Sequence, residues 1–337
     1  MKPGPLATLF HPFETGDLAL PRQGTRALFL GAEPGFRLPE GFGAQLALVQ
    51  GFRPHVLGLE AAGHRVTHEV EGDGYDLALV LAGRHRGQNE GRIAEAVEST
   101  VPGGLIVVAG STDDGIGSLR KRVAKLVDVE GALPKHHGVV FWFRRPDDPS
   151  ALVALRPAPT LVDGRFRTAP GMFSHDRVDA GSRLLAQCLP DAAKGAAADF
   201  CSGWGYLAAE LAAHTAGLAS IDLYEADRAS LQAAEANLNA LAARPAFDFF
   251  WCDLASEKVE RRYDLIVMNP PFHQGRASEP GIGQAMIKAA ALALKPGGQL
   301  LMVANRGLPY AQPLKDAFKD VRELRSEGGF RVFAARK

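Results

Sequence analysis

Two distant stretches of the chain begin alike: YDLALV at 75–80 and YDLIVM at 263–268. Each is an aliphatic run opened by Tyr-Asp, as expected of a strand buried on both faces of a parallel sheet. Each is then followed by the same pattern. Val101-Pro102-Gly103-Gly104 leads into Leu105–Val108, and Lys295-Pro296-Gly297-Gly298 leads into Gln299–Val303. Both read as a helix end, a Gly-Gly turn and another buried strand. Finally GVVFWFRR at 138–145 is echoed by GFRVFAARK at 329–337. Three matches in one order argue for duplication of a single α/β unit. A length of 337 residues suits two domains.

The seam falls where Pro146, Pro149, Pro157 and Pro159 crowd a short stretch, since proline removes backbone donors and disfavours helix. The expected division is a first domain over 1–145, a linker over 146–165 and a second domain over 166–337. Helical patterns at 93–99, 230–243 and 283–294 alternate with strand patterns at 27–30, 198–201 and 221–225. The leucines at 231, 238 and 241 form a core-facing stripe, and Ser230 is placed to cap that helix. Such alternation predicts α/β architecture, with a doubly wound, mostly parallel sheet in each half.

Composition removes several classes. With 46% hydrophobic and 23% charged residues, the chain is not a disordered one. No stretch approaches the roughly 20 apolar residues of a membrane span, and the N-terminal residues lack the apolar core of a signal peptide. Three scattered cysteines make neither a disulfide scaffold nor a zinc site, and His136-His137 lacks a second ligand pair. We therefore expect a cytoplasmic, metal-free monomer. The 38 Lys and Arg balance 38 Asp and Glu, so any nucleic-acid contact depends on local clusters such as Arg84-His85-Arg86 and Arg120-Lys121-Arg122.

The two copies differ where chemistry would need them to. After its first strand, the second copy carries Asp199-Phe200-Cys201-Ser202-Gly203-Trp204-Gly205, a glycine turn running into a helix near Tyr206. Aligning Gly35 with Gly205, the first copy has Phe29 in place of Asp199 and Glu33 in place of Gly203. Three further strand ends in the second copy carry polar groups. Glu225 can hold the two hydroxyls of a ribose, and Asp253 can accept from an adenine amino group. The last is Asn269-Pro270-Pro271-Phe272, where the first copy has Leu81-Ala82-Gly83-Arg84. Consecutive prolines fix two φ angles and supply no N–H, so the loop is stiff. The Asn269 amide oxygen and the Pro270 carbonyl are then free to accept hydrogen bonds.

The succession DFCSGWG, LYEAD, CDL and NPPF resembles class I S-adenosylmethionine-dependent methyltransferases. PGMFSHDRVDAGSRLL at 170–185, NPPFHQG at 269–275 and VANRGLPY at 303–310 are similar to bacterial ribosomal RNA guanine-N2 methyltransferases, of the type that acts on 16S rRNA. That resemblance implies tandem class I domains, a degenerate first copy serving as scaffold or RNA-binding unit, and a catalytic second copy. It implies S-adenosylmethionine as cofactor and the RNA of the small ribosomal subunit, or its assembly intermediate, as partner. It further implies that Asp199, Gly203 and Gly205 lie against the methionine moiety and that Cys252 and Leu254 flank the adenine held by Asp253. Glu225 would hold the ribose, and Phe173, Asp179 and Ser182 would cover the cofactor. The family pattern departs at two places: glycine is usual where this chain has Cys201, and cysteine where it has Ser202.

A guanine amine is a weak nucleophile because its lone pair is delocalised into the ring. Asn269 and Pro270, accepting its two N–H bonds, would turn that lone pair toward a sulfonium methyl while Phe272 stacks on the base. The same loop suits other planar nitrogens. A 23S rRNA guanine, an adenine N6 and a glutamine amide remain alternatives, as does a non-catalytic RNA-binding assembly factor. A Rossmann dehydrogenase fits poorly, for the turn lacks G-x-G-x-x-G.

Overall fold

The computed structural model describes residues 4–241, 245–271, 273–274, 277–278 and 280–337. It forms two compact units, Met1–Pro159 with Ala169–Gly171, and Thr160–Thr168 with Met172–Lys337. The first contains α1 (Pro5–Thr15), β1 (Arg26–Leu30), β2 (Gln45–Val49), α2 (Arg53–Ala61), β3 (Val66–Thr67), β4 (Tyr75–Ala82) and α3 (Arg86–Ser99). It continues through β5 (Thr100–Ser111), α4 (Ile116–Val123), β6 (Gly131–Lys135), β7 (Gly138–Arg144) and the one-turn α5 (Ser150–Val153). The second opens with a hairpin of β8 (Thr160–Val162) and β9 (Phe166–Thr168). Then come α6 (Ala180–Ala186), β10 (Gly195–Phe200), α7 (Tyr206–His214), β11 (Leu218–Glu225), α8 (Arg228–Asn239), β12 (Ala246–Trp251) and β13 (Tyr263–Met268). Beyond a small hairpin of β14 (His273–Gln274) and β15 (Ala277–Ser278) lie α9 (Pro280–Ala293), β16 (Leu294–Asn305), α10 (Ala311–Ala317), β17 (Asp320–Glu327) and β18 (Phe330–Arg336).

Both units carry the same seven-stranded sheet. The orders are β3-β2-β1-β4-β5-β7-β6 and β12-β11-β10-β13-β16-β18-β17. In each, six strands run one way and a single strand, β7 or β18, runs against them, antiparallel to both its neighbours. The duplication read from sequence is thus a duplication of topology. The reason lies in period-two alternation with both faces covered. In β4, Leu77, Leu79 and Leu81 face one apolar cluster, while Ala78, Val80 and Ala82 face the other.

The structure revises several local expectations. The Gly-Gly stretches are not turns between a helix and a strand but bulges inside β5 and β16. Tyr75 pairs with Thr100 and Leu77 with Leu105; likewise Tyr263 pairs with Leu294 and Leu265 with Gln299. Gly103 and Gly297 take φ of 73° and 79°, and a Cβ on Gly104 would lie 2.4 Å from Thr100 Cγ2, so neither position in the first copy admits a side chain. The helix expected from Ser230 begins two residues earlier. Asp227 is its cap, accepting from the Ser230 N–H at 2.8 Å and its hydroxyl at 2.7 Å. That helix ends at Asn239, and the expected extension to 243 enters residues outside those described. The stretch 146–165 is folded: Leu152 and Leu155 are buried in the first unit, and Thr160–Val162 belongs to the second. Among the described residues, no helix is long and apolar enough to cross a membrane.

One buried polar network ties the strands that carry the second unit's polar ends. Asp222, in β11, accepts from the Tyr263 hydroxyl at 2.7 Å and from Arg261 at 2.9 Å, and Tyr224 and Tyr263 share a hydrogen bond of 2.7 Å. Asp222 is almost wholly buried, so its carboxylate is tolerable only with these partners. Asp222→Ala, which removes the acceptor of the buried Tyr263 hydroxyl and leaves it only Tyr224, is expected to lower stability by roughly 1–3 kcal/mol in urea unfolding.

Candidate active site

β10 and β13 run side by side with Phe200 opposite Met268, so the segments leaving their carboxyl ends, Cys201–Gly205 and Asn269–Pro271, meet. Together with the chain before and within α6 they wall a cleft at the carboxyl ends of the strands. Of the residues expected from sequence, Phe173, Asp179, Ser182, Gly203 and Asn269 line it. Asp199, Gly205, Glu225, Cys252, Asp253 and Leu254 stand outside that lining. Cys201, Ser202, Trp204 and Tyr206 are additional walls, and only their place around the glycine turn hints at this in the sequence. Phe272 lies outside the described residues, as does the side chain of His273.

The glycines of the turn serve different ends. Gly203 takes φ of 54°, and nothing lies within 4 Å of where its Cβ would be, so the backbone there faces open space. Gly205 takes φ of 89°, and its missing Cβ would sit 3.2 Å from Ala234 Cβ, so it lets the turn pack on α8. Glu225 closes the turn from β11: Oε2 accepts from the Gly203 N–H at 2.8 Å and Oε1 from the Asp227 N–H at 2.9 Å. Burial nonetheless outweighs these hydrogen bonds and pushes its carboxyl up to about 7. Asp199 is fully buried; Oδ2 accepts from the Ala208 N–H in the first turn of α7 at 2.9 Å, and Oδ1 has no partner. Burial raises this carboxyl well above the usual range.

Asp253 lies two residues past β12 and caps its own turn, accepting from the Ala255 N–H at 3.0 Å and the Ser256 hydroxyl at 2.5 Å. Cys252 is buried and donates its N–H to the Glu225 carbonyl at 2.9 Å, and Leu254 is buried beside it. Cys201, where the family pattern has glycine, adopts φ of 60°. Its thiol sits 3.5 Å from Met286 Sδ and is pushed well above the usual range by burial, so it is held neutral.

Asn269 is held through its amide nitrogen. It is buried, and its Nδ2 donates to Asp179 Oδ2 at 3.0 Å and to Ser182 Oγ at 2.8 Å. Asp179 also caps α6 by accepting from the Ser182 N–H at 2.8 Å. Both amide hydrogens are therefore consumed, and Asn269 Oδ1 is left buried without a hydrogen-bond partner. Ser202 Oγ, also in the wall, is buried and unpartnered. A cleft whose walls hold unpaired polar atoms is built for a polar ligand.

In the first unit the matching positions are filled from within. Strand register sets Gln50 where the second unit has Glu225, and Leu81 where it has Asn269. Gln50 accepts from the Phe52 N–H at 2.9 Å and donates to the Ala32 carbonyl at 2.7 Å, keeping the tie while losing the charge. Arg92 donates to the Leu81 carbonyl at 2.7 Å and packs against Gly31.

The model of the methyltransferase small domain matches residues 163–334, and the chain belongs to that family. Ribosomal RNA small subunit methyltransferase C of Salmonella paratyphi B is 30% identical over 237 residues, covering 70% of this chain and 68% of the relative. The protein of that name from Klebsiella pneumoniae is 38% identical over 180 residues, a match that spans 52% of this chain but only half of the relative. Among solved structures, a 16S rRNA N2 methyltransferase from T. thermophilus, in complex with AdoMet and guanosine, superposes with a TM-score of 0.78. It is 24% identical, covering 97% of this chain and 91% of that one, and so shares the tandem fold.

The raised carboxyl of Glu225 has a consequence for stability. The folded protein keeps its proton up to about pH 7, whereas an ordinary glutamate releases it near 4.5. The native state binds more protons in that window, so stability falls as pH rises through it. Urea titrations across the window should show wild type losing roughly 1–3 kcal/mol more than Glu225→Gln.

Proposed function

We propose that this chain transfers the methyl group of S-adenosylmethionine to the exocyclic N2 of a guanine in 16S rRNA, acting in the cytoplasm on the small ribosomal subunit or its assembly intermediate. The observation that carries the reading is the buried, unpartnered Asn269 Oδ1 in the cleft wall. Family membership and the bound ligands of the T. thermophilus structure support it.

The residues present fit the cofactor. Glu225 offers its carboxyl group beside an open glycine turn for the ribose hydroxyls, and Ser202 Oγ offers an unpaired oxygen for the methionine end, with Asp199 behind it fixing the start of α7. Each Asp253 oxygen keeps a lone pair beyond its turn contact for the adenine amine, between Cys252 and Leu254. When bound, S-adenosylmethionine supplies the electrophilic methyl carbon. Everything else is positioning by the chain. Asn269 Oδ1 and the Pro270 carbonyl accept the two N–H bonds of the guanine amine, which withdraws its lone pair from the ring and aims it. Phe272 stacks on the base, which must leave its helix to reach such a pocket. No strong base is required, because the amine becomes acidic once methylated, and the neutral Cys201 thiol takes no part.

The first unit acts as scaffold and RNA holder, with its own ligand cleft filled by Arg92 and Gln50. Arg120 and Lys121 carry no ion pair among the described residues, while Arg84 and Arg86 face Asp114 and Glu90 at 3.9 and 3.5 Å. All four are candidates for phosphate contacts. The protein works as a monomer without metal.

Transfer of labelled methyl from S-adenosylmethionine onto unmodified small subunits, with nucleoside analysis, tests the reaction: N2-methylguanosine in 16S rRNA is expected, and label in 23S rRNA, in adenine or in protein would overturn it. Asn269→Ala should lower turnover by roughly 100-fold or more, with cofactor affinity by calorimetry changed less than about threefold. Unchanged turnover would remove Asn269 from the mechanism.

A further inference from the structure

Asp179 and Ser182 line the cleft. Their hydrogen bonds point elsewhere. Asp179 Oδ2 and Ser182 Oγ take the two hydrogens of Asn269 Nδ2, at 3.0 and 2.8 Å, across some ninety residues of sequence. An amide can be turned over in a pocket of the same shape, exchanging its oxygen for its NH2. Turned over here, it would set Oδ1 against the Asp179 carboxylate, acceptor against acceptor, and would aim two donors into the cleft. A guanine amine offers hydrogens, so that orientation would repel the group to be methylated.

We propose that Asp179 and Ser182 are positioning residues for the acceptor site: they lock the Asn269 amide in the one orientation that presents its oxygen to the target amine. The inference rests on the reading of Asn269 given above and deepens it. It assigns selectivity to an amine through the pair behind the loop, not through the loop alone. It also explains why one carboxylate oxygen does two tasks. Asp179 Oδ2 caps α6 through the Ser182 N–H at 2.8 Å while holding Asn269, so the cap sets both acceptors at fixed distance from the end of β13.

The double task makes a clean test possible. Asparagine caps helices as well as aspartate does, and an Asp179→Asn side chain with its oxygen in the cap presents that same oxygen to Asn269, so this variant should keep both tasks. Glycine is tolerated at a helix N-cap almost as well, so Asp179→Gly keeps α6 while removing the acceptor, and the lock is lost. Ser182→Ala removes the second acceptor without touching the cap. Asp179→Gly and Ser182→Ala should each lower kcat by roughly 10- to 100-fold, the scale of a misaimed hydrogen-bond partner, while the calorimetric Kd for S-adenosylmethionine moves less than about threefold and Asp179→Asn rescues kcat. In nitrogen-15 NMR the Asn269 side-chain hydrogens should be slow to exchange in wild type and Asp179→Asn and fast in Asp179→Gly, with the Leu184–Ala186 backbone N–H groups of α6 protected in all three.

Asn269→Ala is assayed alongside. An inactive Asn269→Ala with fully active Asp179→Gly and Ser182→Ala would overturn the inference and leave the proposed function standing. Full activity of Asn269→Ala would overturn both. Loss of cofactor affinity by the same factor as kcat would show the pair to be cofactor ligands, and loss of Leu184–Ala186 backbone protection in Asp179→Gly would show a helix cap alone; either result refutes the positioning role.

Discussion

The parallel register of β10 against β13 is the constraint on which the second unit depends. With Phe200 opposite Met268, the glycine turn and the Asn-Pro-Pro loop leave the sheet at the same height and face one another. Because side chains alternate along a strand, a slip of one residue would carry Asp199 and Ala198 to opposite faces and separate the turn from the loop. The register is held from both sides. Apolar residues alternate into clusters on each face, and the Asp222–Tyr263–Arg261 network pins β11 and β13 at their polar interior. The site inherits its precision from this frame.

Unpaired acceptors gather where the frame ends. Asp199 Oδ1, Ser202 Oγ and Asn269 Oδ1 are all buried without partners. Each such group costs the protein about 1–3 kcal/mol. The two that line the cleft, Ser202 Oγ and Asn269 Oδ1, are held for a ligand. The same low-dielectric surroundings raise the carboxyls of Glu225 and Asp199. Part of the stability given up in the free protein thus lies where a ligand would restore it, and part lies elsewhere, as at Asp222 Oδ1.

The first unit shows what the frame does without that requirement. Its sheet repeats the second's strand for strand, yet Phe29 replaces Asp199, Gln50 replaces Glu225 and Leu81 replaces Asn269. Arg92 and Gln50 satisfy the backbone groups that would otherwise face a cleft. The two units share a topology because folding needs only the alternating apolar strands and the bulge glycines. They differ because a vacant polar cleft has to be built against the tendency of polar groups to pair within the chain.

Much of this was legible in the sequence. The repeated YDL strands and Gly-Gly stretches betrayed the duplication, since period and glycine requirement are local properties. Asn269, Gly203 and Glu225 stood out because a stiff double proline, a glycine turn and an acid at a strand end each have a local physical meaning. Other features were not local. Placing the Gly-Gly stretches inside strands as bulges, and moving the α8 cap to Asp227, required knowing which strand pairs with which and which oxygen is in reach. That Asp179 and Ser182 grip Asn269, leaving its oxygen bare, is a relation between a helix end and a strand end far apart in the chain. Sequence determined which groups the protein possesses; only the packing of α6 against β16 and β18, which brings its first turn to Asn269, decided which hydrogen each acceptor would take.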